Sequence, residues 1–233
     1  MKDGVKLEKI FEGKTKNVFA QGTEQILLQF KDDITGENGV PDPGGNKVVG
    51  QIAGKGNVSL QMSTYFFELL QKSDIPTHYV SSDLTKNTML VKKAETFGAG
   101  LEFICRLRAA GSFVRRYGQY VEEGQSLDYL VEITIKDDQR GDPLINEESI
   151  VQLNLMTDSE LKRAKSLTQK VTELIANVYV HQGLELVDLK LEFGRINGQI
   201  AVIDELSGDN MRVRREGKLL GPKELCAFVR GEF

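Results

Sequence analysis

Alternating apolar and charged residues predict one long strand in the C-terminal third of the chain. Along it, apolar Val187, Leu189, Leu191 and Phe193 alternate with charged Asp188, Lys190 and Glu192. A period of two puts the charged side chains on one face and the apolar ones on the other. The Asn197-Gly198 dipeptide that follows is typical of a two-residue hairpin turn. A second strand is therefore predicted to return beside the first and to end at Asp204-Glu205.

The register of this hairpin decides whether two carboxylates meet. A two-residue turn would pair Glu192 with Ile203 and put Asp204 on the other face, whereas one extra loop residue or a bulge would bring Glu192 opposite Asp204. Two carboxylates at adjacent strand positions suit a Mg²⁺ ion that also holds substrate phosphates. The alternative is a solvated strand face on which Lys190 lies between acids, and the pattern leaves both interpretations open.

Helical spacing predicts the two long helices. Apolar residues from Val58 to Leu70 recur at helical intervals, with Asn57 as the predicted N-cap. Thr157 and Glu160 form a predicted capping box ahead of a long amphipathic helix that stops at Gly183. Strands are predicted within residues 7–34, 78–82, 89–95, 101–108 and 128–145. Residues 36–57 hold seven of the 23 glycines and two of the five prolines, and they are predicted to form a long loop.

Composition excludes several classes of protein. The 233 residues are 40% hydrophobic and 27% charged, with a net charge of −4 and a pI of about 5.4, so neither nucleic acid nor an anionic membrane is an expected partner. No apolar run reaches the roughly 18 residues of a membrane span, and the first residues have no signal-peptide core. Cys105 and Cys226 are too few for a disulfide framework. We therefore expect a cytoplasmic protein.

Two basic segments are candidates for binding anions. Lys14 and Lys16 flank a bend between strands, where backbone N–H and ammonium groups can lie against a polyphosphate, although a plain turn would look the same. The segment from Arg106 to Gly118 carries the densest positive charge, and arginine suits bidentate recognition of carboxylate or phosphate. A compact anionic metabolite is its expected partner; solvated helix charges are the alternative.

The two histidines do not indicate catalysis. His181 lies near the predicted end of the long helix, where a cation stabilises the helix terminus, and His78 lies alone in a strand, where a structural role is expected. No Ser/His/Asp set or Cys/His metal cluster is visible in the sequence. Hydrolysis through a histidine base is therefore disfavoured.

Seven stretches together resemble the family of phosphoribosylaminoimidazole-succinocarboxamide synthase, or SAICAR synthetase. They occur in the family's order between about residue 9 and residue 214: FEGKTKNVF, FKDDITGENG, the helix leading to IPTHYV, RLRAAGSFVRRYG, IKDDQRGDPLIN, VDLKLEFG and IDELSGDNMR. The resemblance implies an ATP-dependent ligase of purine biosynthesis. Such an enzyme joins L-aspartate to the carboxylate of 5-amino-4-carboxyimidazole ribonucleotide (CAIR) and releases ADP and phosphate.

The resemblance also implies a fold and an assembly. The expected fold is α+β, with two domains of antiparallel sheets similar to kinases and ATP-grasp enzymes and with the nucleotide in the cleft between them. Residues 1–100 would form the nucleotide-binding domain, and residues 101–233 would carry the metal and ribonucleotide site. A homodimer or larger homo-oligomer is expected. A kinase-like phosphotransferase and a diverged nucleotide-binding protein are the alternative functions.

By resemblance, the nucleotide and its metal would have five ligands. Lys14 and Lys16 would lie over the ATP phosphates, Glu102 beside the adenine, and Glu192 and Asp204 around Mg²⁺. ATP and Mg²⁺ are thus the expected cofactors.

The resemblance assigns a second set of residues to the ribonucleotide. Arg106, Ser112 and Arg212 would hold it, with Asp188, Lys190 and Asp209 around its ring and carboxylate. The residues expected to be catalytic are Lys14, Asp188, Lys190 and Asp204. The chain departs from the family pattern at several positions. Gly208 replaces a usual proline, which we expect to loosen the loop that presents Asp209, and the usual Trp-Asp and DKD-x-[FY]-R segments after Arg212 are missing.

Overall fold

The structure, a computed structural model, describes residues 8–37, 39–45 and 47–230. Residues 1–7, 38, 46 and 231–233, which the predicted domain limits and glycine-rich loop include, lie outside the described residues. The strands are β1 (Glu8–Glu12), β2 (Lys16–Gln21), β3 (Gln25–Phe30), β4 (Asp33–Glu37), β5 (Val40–Pro41), β6 (Lys47–Gln51), β7 (Tyr79–Asp83), β8 (Thr88–Lys92), β9 (Glu95–Thr96), β10 (Leu101–Arg108), β11 (Ser126–Ile135), β12 (Glu185–Ile196), β13 (Gln199–Ile203), β14 (Met211–Arg215) and β15 (Lys218–Leu219). The helices are α1 (Lys55–Lys72), α2 (Ser112–Tyr117), α3 (Glu147–Gln152), α4 (Asp158–Val180) and α5 (Pro222–Arg230).

The first sheet is antiparallel, in the order β1-β2-β3-β8-β7, and α1 packs against β3 and β7. The lysine-bearing bend joins β1 to β2, where the Gly13 N–H donates to the Lys16 carbonyl at 2.8 Å. The predicted N-cap of α1 is wrong. The helix begins three residues earlier, at Lys55 after Gly54 in a left-handed conformation (φ 80°), and the Asn57 side chain instead donates to the Leu84 carbonyl at 2.6 Å.

The glycine-rich segment is more ordered than predicted. Strands β4, β5 and β6 form a small antiparallel sheet, in the order β5-β4-β6, within the stretch that the sequence predicts as one long loop. Gly36 permits this packing, since an added Cβ there would lie 2.0 Å from the Val40 carbonyl oxygen. The segment between β5 and β6 thereby reaches the cleft described below.

The largest sheet runs in the order β11-β10-β12-β14-β15, with β9 and β13 also paired to β12. Helix α4 packs against β10 and β12. Its buried residues recur at helical spacing: Leu161, Ala164, Leu167, Val171 and Ile175. The predicted capping box is confirmed, because the Thr157 Oγ1 accepts from the Glu160 N–H at 3.2 Å and Glu160 accepts from the Thr157 N–H at 2.8 Å.

The hairpin of β12 and β13 has the two-residue turn. Asn197 (φ 51°) and Gly198 (φ 76°) both have positive φ, as a type I′ turn requires. Glu192 therefore pairs with Ile203, and the bulged alternative is wrong. Asp204 comes directly after β13 with φ 68°, so the chain turns there and the alternation of faces no longer applies.

The two larger sheets share one continuous cluster of buried apolar residues. They also join through backbone contacts: Thr77 bridges Val202, and the His78 N–H donates to the Val202 carbonyl at 3.0 Å. The predicted α+β class with antiparallel sheets is confirmed, whereas the domain boundary near residue 100 stays a prediction. No helix within the described ranges is long and apolar enough to span a membrane.

Candidate active site

Two adjoining cavities lie where the sheets meet. The first, here called the lysine cavity, is defined by Lys14, Lys16, Lys136, Lys190, Glu192 and Asp204 and encloses about 350 Å³. The second, the arginine cavity, is defined by Arg106, Arg115, Arg116, Arg212, Ser112 and Asp188 and encloses about 390 Å³. Their shared walls are Pro43, Gly45, Glu102, Asp138, Lys190 and Asn210. Every predicted site residue lines one cavity or both: Lys14, Lys16, Glu102, Arg106, Ser112, Asp188, Lys190, Glu192, Asp204, Asp209 and Arg212.

The charged face of β12 supplies the floor of both cavities. The apolar side chains of Leu189, Leu191 and Phe193 are buried in the core, so Asp188, Lys190 and Glu192 point the other way, as predicted. The neighbouring strand β10 adds Glu102, which pairs with Glu192, and Arg106, which pairs with Asp188. The period of two thus brings residues that are distant in the chain onto one surface.

Lys16 holds two acids in the lysine cavity. Its Nζ lies 2.9 Å from the Asp204 Oδ1 and also forms an ion pair with Glu205. Burial alone would lower the pKa of Lys16, but Asp204 and Glu205 raise it above its ordinary value. Glu205 accepts a second hydrogen bond, from the Ser207 Oγ at 2.6 Å. Glu205 is 3% exposed and belongs to the site, although the sequence pattern did not single it out.

The pKa values of the two carboxyl groups predicted to bind metal are shifted in opposite directions. Burial raises the pKa of Glu192, and the charge of Asp204 raises it further, although Lys136 lowers it. Burial would also raise the pKa of Asp204, but Lys16 and Lys136 hold it below its usual range. The charge of Asp204 thus disfavours ionisation of Glu192, whereas the neighbouring lysines favour the ionised form of Asp204.

Two further lysines neutralise the acids of this site. Lys136 Nζ lies 2.6 Å from the Glu192 Oε1, and Lys190 Nζ lies 2.8 Å from the Glu102 Oε1. Thr134 Oγ1 donates to the other oxygen of Glu102 at 2.9 Å. Sequence reasoning missed Lys136. Its position directly after strand β11 is the signal that could have identified it, since residues at strand ends commonly line a site.

Lys14 lies at the outer edge of the lysine cavity. Its Nζ is 2.6 Å from the Asp138 Oδ1, at the start of a short 3₁₀ helix (Asp138–Arg140). This ion pair spans the cleft between the first sheet and the loop after β11. The two predicted lysines of the bend thus have different environments, because Lys16 is buried and Lys14 is half-buried.

Arginines converge on Asp188 in the second cavity. The buried Arg106 donates to the Asp188 Oδ2 at 3.0 Å, to the Ser112 Oγ at 3.0 Å and to the Glu132 Oε2 at 2.7 Å. Arg212 donates to the same oxygen of Asp188 at 2.7 Å. One carboxylate therefore fixes two guanidinium groups, which agrees with the predicted grouping of Arg106, Ser112, Asp188 and Arg212.

The loop after β13 carries Asp209 into the lysine cavity, where it forms an ion pair with the fully buried Lys55. Burial and Glu205 raise the pKa of Asp209 to about 6, although Lys55 lowers it. The loop is tied internally, because the Asp209 N–H donates to the Ser207 Oγ at 3.1 Å, and Gly208 packs against Pro222. Lys55 is another residue that sequence reasoning missed.

The side-chain oxygen of Asn210 is buried and has no hydrogen-bond partner among the described residues. Asn210 lines both cavities. A buried acceptor without a partner is energetically costly, and no contact among the described residues offsets that cost.

Comparison with known proteins identifies the family. A family model described as SAICAR synthetase matches residues 9–224. The chain belongs to the SAICAR synthetase family. It is 48% identical over 222 residues to phosphoribosylaminoimidazole-succinocarboxamide synthase of Clostridium tetani, an alignment that covers 94% of this chain and 98% of the relative. It is 37% identical over 211 residues to the enzyme of the same name from Aquifex aeolicus, covering 89% and 92%.

Solved structures of the SAICAR synthetase family share the fold. One, a SAICAR synthetase in complex with ADP, has a TM-score of 0.85 at 30% identity and covers 95% of this chain and 97% of its own. The enzyme from Ehrlichia chaffeensis has a TM-score of 0.82 at 29% identity, covering 96% and 94%. The chain is therefore an ATP-dependent ligase that joins L-aspartate to CAIR in purine biosynthesis. The comparisons give no support to the phosphotransferase or the diverged binding protein.

Proposed function

We propose that the lysine cavity binds ATP with Mg²⁺ and that the arginine cavity binds CAIR. Ammonium groups of Lys14, Lys16 and Lys136 suit a polyphosphate, and the arginine cavity suits a phosphate or carboxylate that accepts from guanidinium groups. Support also comes from the related SAICAR synthetase that was solved with ADP.

The observation that carries this proposal is the wall shared by the two cavities. Lys190 and Glu102 line both, and they form an ion pair at 2.8 Å. Two ligands bound on either side of Lys190 would have their reactive groups next to each other, as a transfer between them requires. Lys190 would neutralise the CAIR carboxylate and the incoming phosphoryl group together. Glu102 orients Lys190, and its expected place beside the adenine remains part of the proposal.

Glu192 and Asp204 are the proposed ligands of Mg²⁺. No group of three or more His, Cys, Asp or Glu side chains in the described part of the chain is placed to hold a metal by itself. Two carboxylates nevertheless fit Mg²⁺, which keeps several waters and takes its remaining ligands from substrate phosphates. Burial and the charge of Asp204 raise the pKa of Glu192, and a bound divalent cation would offset both by stabilising the ionised carboxylate. When bound, the ion would neutralise the phosphate oxygens.

The proposed reaction has two steps. The CAIR carboxylate attacks the γ-phosphorus of ATP, forming a C–O–P linkage while the bond to ADP breaks. The amine of L-aspartate then attacks the acyl carbon, the C–N bond forms, the C–O bond to phosphate breaks, and the amine loses a proton. A carboxylate is a poor acyl donor to an amine until this activation, which is why ATP is needed. Positioning and charge neutralisation are enough for both steps, so no protein nucleophile is required.

Each predicted residue then has a physical task. Lys14 and Lys16 bind the phosphates, while Asp188 keeps Arg106 and Arg212 in place for the ribonucleotide, together with Ser112. Asp209 lies near the shared wall, where its raised pKa makes it sensitive to the charge of a bound substrate.

The proposal is tested by measuring ADP release from ATP in the presence of Mg²⁺ and CAIR, with and without L-aspartate. We expect release to require both substrates and to match the formation of the succinocarboxamide product. Release that needs CAIR but is independent of aspartate would indicate an uncoupled phosphotransferase. A folded protein that binds ATP without releasing ADP would contradict the proposal.

The assembly and location belong to the same proposal. The family resemblance suggests a homodimer or larger homo-oligomer. Light scattering of the purified protein in solution gives its molecular mass and tests this assembly. Cys105 and Cys226 are both buried, and neither forms a disulfide within the described part of the chain, which suits a cytoplasmic, reducing environment.

A further inference from the structure

His78 is a buried titratable residue for which the reaction has no direct use. It is 4% exposed, and its ring contacts Phe67 with centroids 5.2 Å apart. Its backbone is held on both sides, because its N–H donates to the Val202 carbonyl at 3.0 Å and its carbonyl accepts from the Lys92 N–H at 2.7 Å. The ring is therefore fixed in position relative to the end of β13.

The ring of His78 is directed at the backbone of Asp204. Its Nε2 lies 3.1 Å from the Asp204 carbonyl oxygen. A carbonyl oxygen only accepts, so the Nε2 carries the proton and donates. Burial lowers the pKa of His78 to about 4, although Asp204 opposes this, so the ring is neutral near neutral pH.

Asp204 needs such support because its backbone conformation is unfavourable. With φ 68° it lies in the left-handed region, which costs a residue with a Cβ more than glycine. The turn that it makes there directs the carboxylate into the lysine cavity beside Lys16. A hydrogen bond to its carbonyl opposes rotation of the peptide that would carry the carboxylate away.

We propose that His78 is a positioning residue that holds Asp204 in the left-handed conformation and so fixes this carboxylate for the metal and the nucleotide phosphates. The inference rests on the proposed function, in which Asp204 is a ligand of Mg²⁺. The predicted strand position of His78 is wrong, since it lies directly before β7, and the sequence pattern alone does not indicate this role.

The test compares two substitutions of His78. His78→Gln keeps an N–H donor in the side chain, whereas His78→Leu removes it. His181→Gln, at the C-terminal end of α4, is the matched control at the other histidine. Three quantities are measured: the Mg²⁺ concentration for half-maximal ADP release, Mn²⁺ binding in the presence of ADP by electron paramagnetic resonance, and KM for CAIR.

His78→Leu should raise the Mg²⁺ requirement and weaken Mn²⁺ binding about tenfold, the lower end of the range for groups that orient metal ligands. KM for CAIR should stay unchanged, because the arginine cavity is not affected. His78→Gln and His181→Gln should match the wild type in all three measurements.

Three results would overturn the inference. The first is a lower melting temperature in His78→Leu with a normal Mg²⁺ requirement, which would indicate a purely structural role. The second is a His78→Gln variant that binds Mn²⁺ about as weakly as His78→Leu does. If His78→Leu does not fold, the comparison is with the wild type, and Mn²⁺ binding about tenfold weaker in His78→Gln would overturn the inference. The third is an increase in KM for CAIR as large as the change in Mg²⁺ requirement. Asp204→Asn separates the two proposals, since unchanged Mn²⁺ binding in that variant would contradict the metal site itself.

Discussion

Asp42 and Arg212 form an ion pair at the wall of the arginine cavity. The other terminal nitrogen of Arg212 donates to Asp188 at 2.7 Å, so both ends of this guanidinium contact a carboxylate. Burial would raise the pKa of Asp42, but Arg212 and the Gly44 N–H hold it low, and the side chain is ionised. An anionic substrate group must therefore compete with Asp42 for Arg212.

Asp42→Asn should lower KM for CAIR by about threefold to tenfold, because one of the two competing charges is removed. KM for ATP should not change. The measurement is steady-state ADP release at varied CAIR, with inorganic phosphate as a competing anion whose inhibition constant should fall in parallel. An unchanged or higher KM for CAIR would show that Asp42 does not compete with the substrate.

Asp74→Asn is the matched control for this variant. It makes the same change of charge at an exposed residue that lines a separate groove with Gln71 and Ile75. Kinetics equal to wild type are expected. A fall in KM for CAIR in the control as well would assign the effect to net charge rather than to the ion pair with Arg212.

Asp204→Asn should reduce turnover at least about a hundredfold and leave the fold intact. The loss follows from removing a proposed metal ligand that also pairs with Lys16 at 2.9 Å. The fold should survive because asparagine tolerates the left-handed backbone, and because Glu205 still pairs with Lys16. Circular dichroism and a melting curve establish the fold, and ADP release gives the turnover. Near-normal turnover would count against the metal assignment.

Asp74→Asn serves as the control here too, since Asp74 has a similar left-handed backbone (φ 55°) and is exposed. The two variants therefore differ in the environment of the carboxylate rather than in backbone chemistry. Equal turnover in both would contradict the role of Asp204.

Lys55→Met should lower the free energy of unfolding by about 3–5 kcal/mol, because it leaves Asp209, whose side chain is 10% exposed, without its buried ion-pair partner. Urea unfolding provides the measurement. The double variant Lys55→Met/Asp209→Asn should recover a large part of this loss, since no unpaired charge remains. Additive losses in the double-mutant cycle would show that the ion pair contributes nothing to folding.

The period of two on β12 is the part of the site that sequence predicts best. Because alternation in a strand fixes the face of each side chain, the residue pattern alone assigns Asp188, Lys190 and Glu192 to one surface. The capping box of α4 is equally predictable, since its hydrogen bonds join residues three apart. Local rules are sufficient wherever the contacts are local.

Other parts of the site depend on contacts that sequence does not encode locally. The conformation of Asp204 is one, because a backbone turn rather than strand register directs its carboxylate. Lys55 and Asp209 are 154 residues apart, and no periodicity connects them. The predicted N-cap of α1 is wrong for the same reason, since Asn57 donates to Leu84 in a distant turn instead of capping its own helix.

The family resemblance supplies what the patterns leave open. From the residues alone, the charged face of β12 fits both a metal site and a solvated surface. Seven stretches in one order favour the first interpretation, and the matched family model over residues 9–224 confirms the family.

The ion pair between Glu160 and Arg195 makes the stability of the fold depend on pH below pH 4.5. Arg195 donates to both carboxylate oxygens, at 2.5 Å and 3.0 Å. This hydrogen bonding lowers the pKa of Glu160 from 4.5 to about 2, although partial burial opposes the shift. Between pH 4.5 and about 2, Glu160 is ionised in the folded state but protonated in the unfolded chain. Its contribution is therefore complete above pH 4.5 and is lost as the pH falls towards about 2.

Glu160→Gln should lower the free energy of unfolding by about 1–2 kcal/mol near neutral pH, with allowance for solvent screening of a partly exposed pair. Glutamine keeps an oxygen for the Thr157 N–H, so the substitution removes the charge and leaves the cap. The difference from wild type should shrink between pH 4.5 and about 2, measured by urea unfolding at several pH values. Glu173→Gln, at an exposed position of the same helix, should keep the wild-type pH dependence. A difference between Glu160→Gln and wild type that stays constant across this range would mean that the ion pair with Arg195 is not its source.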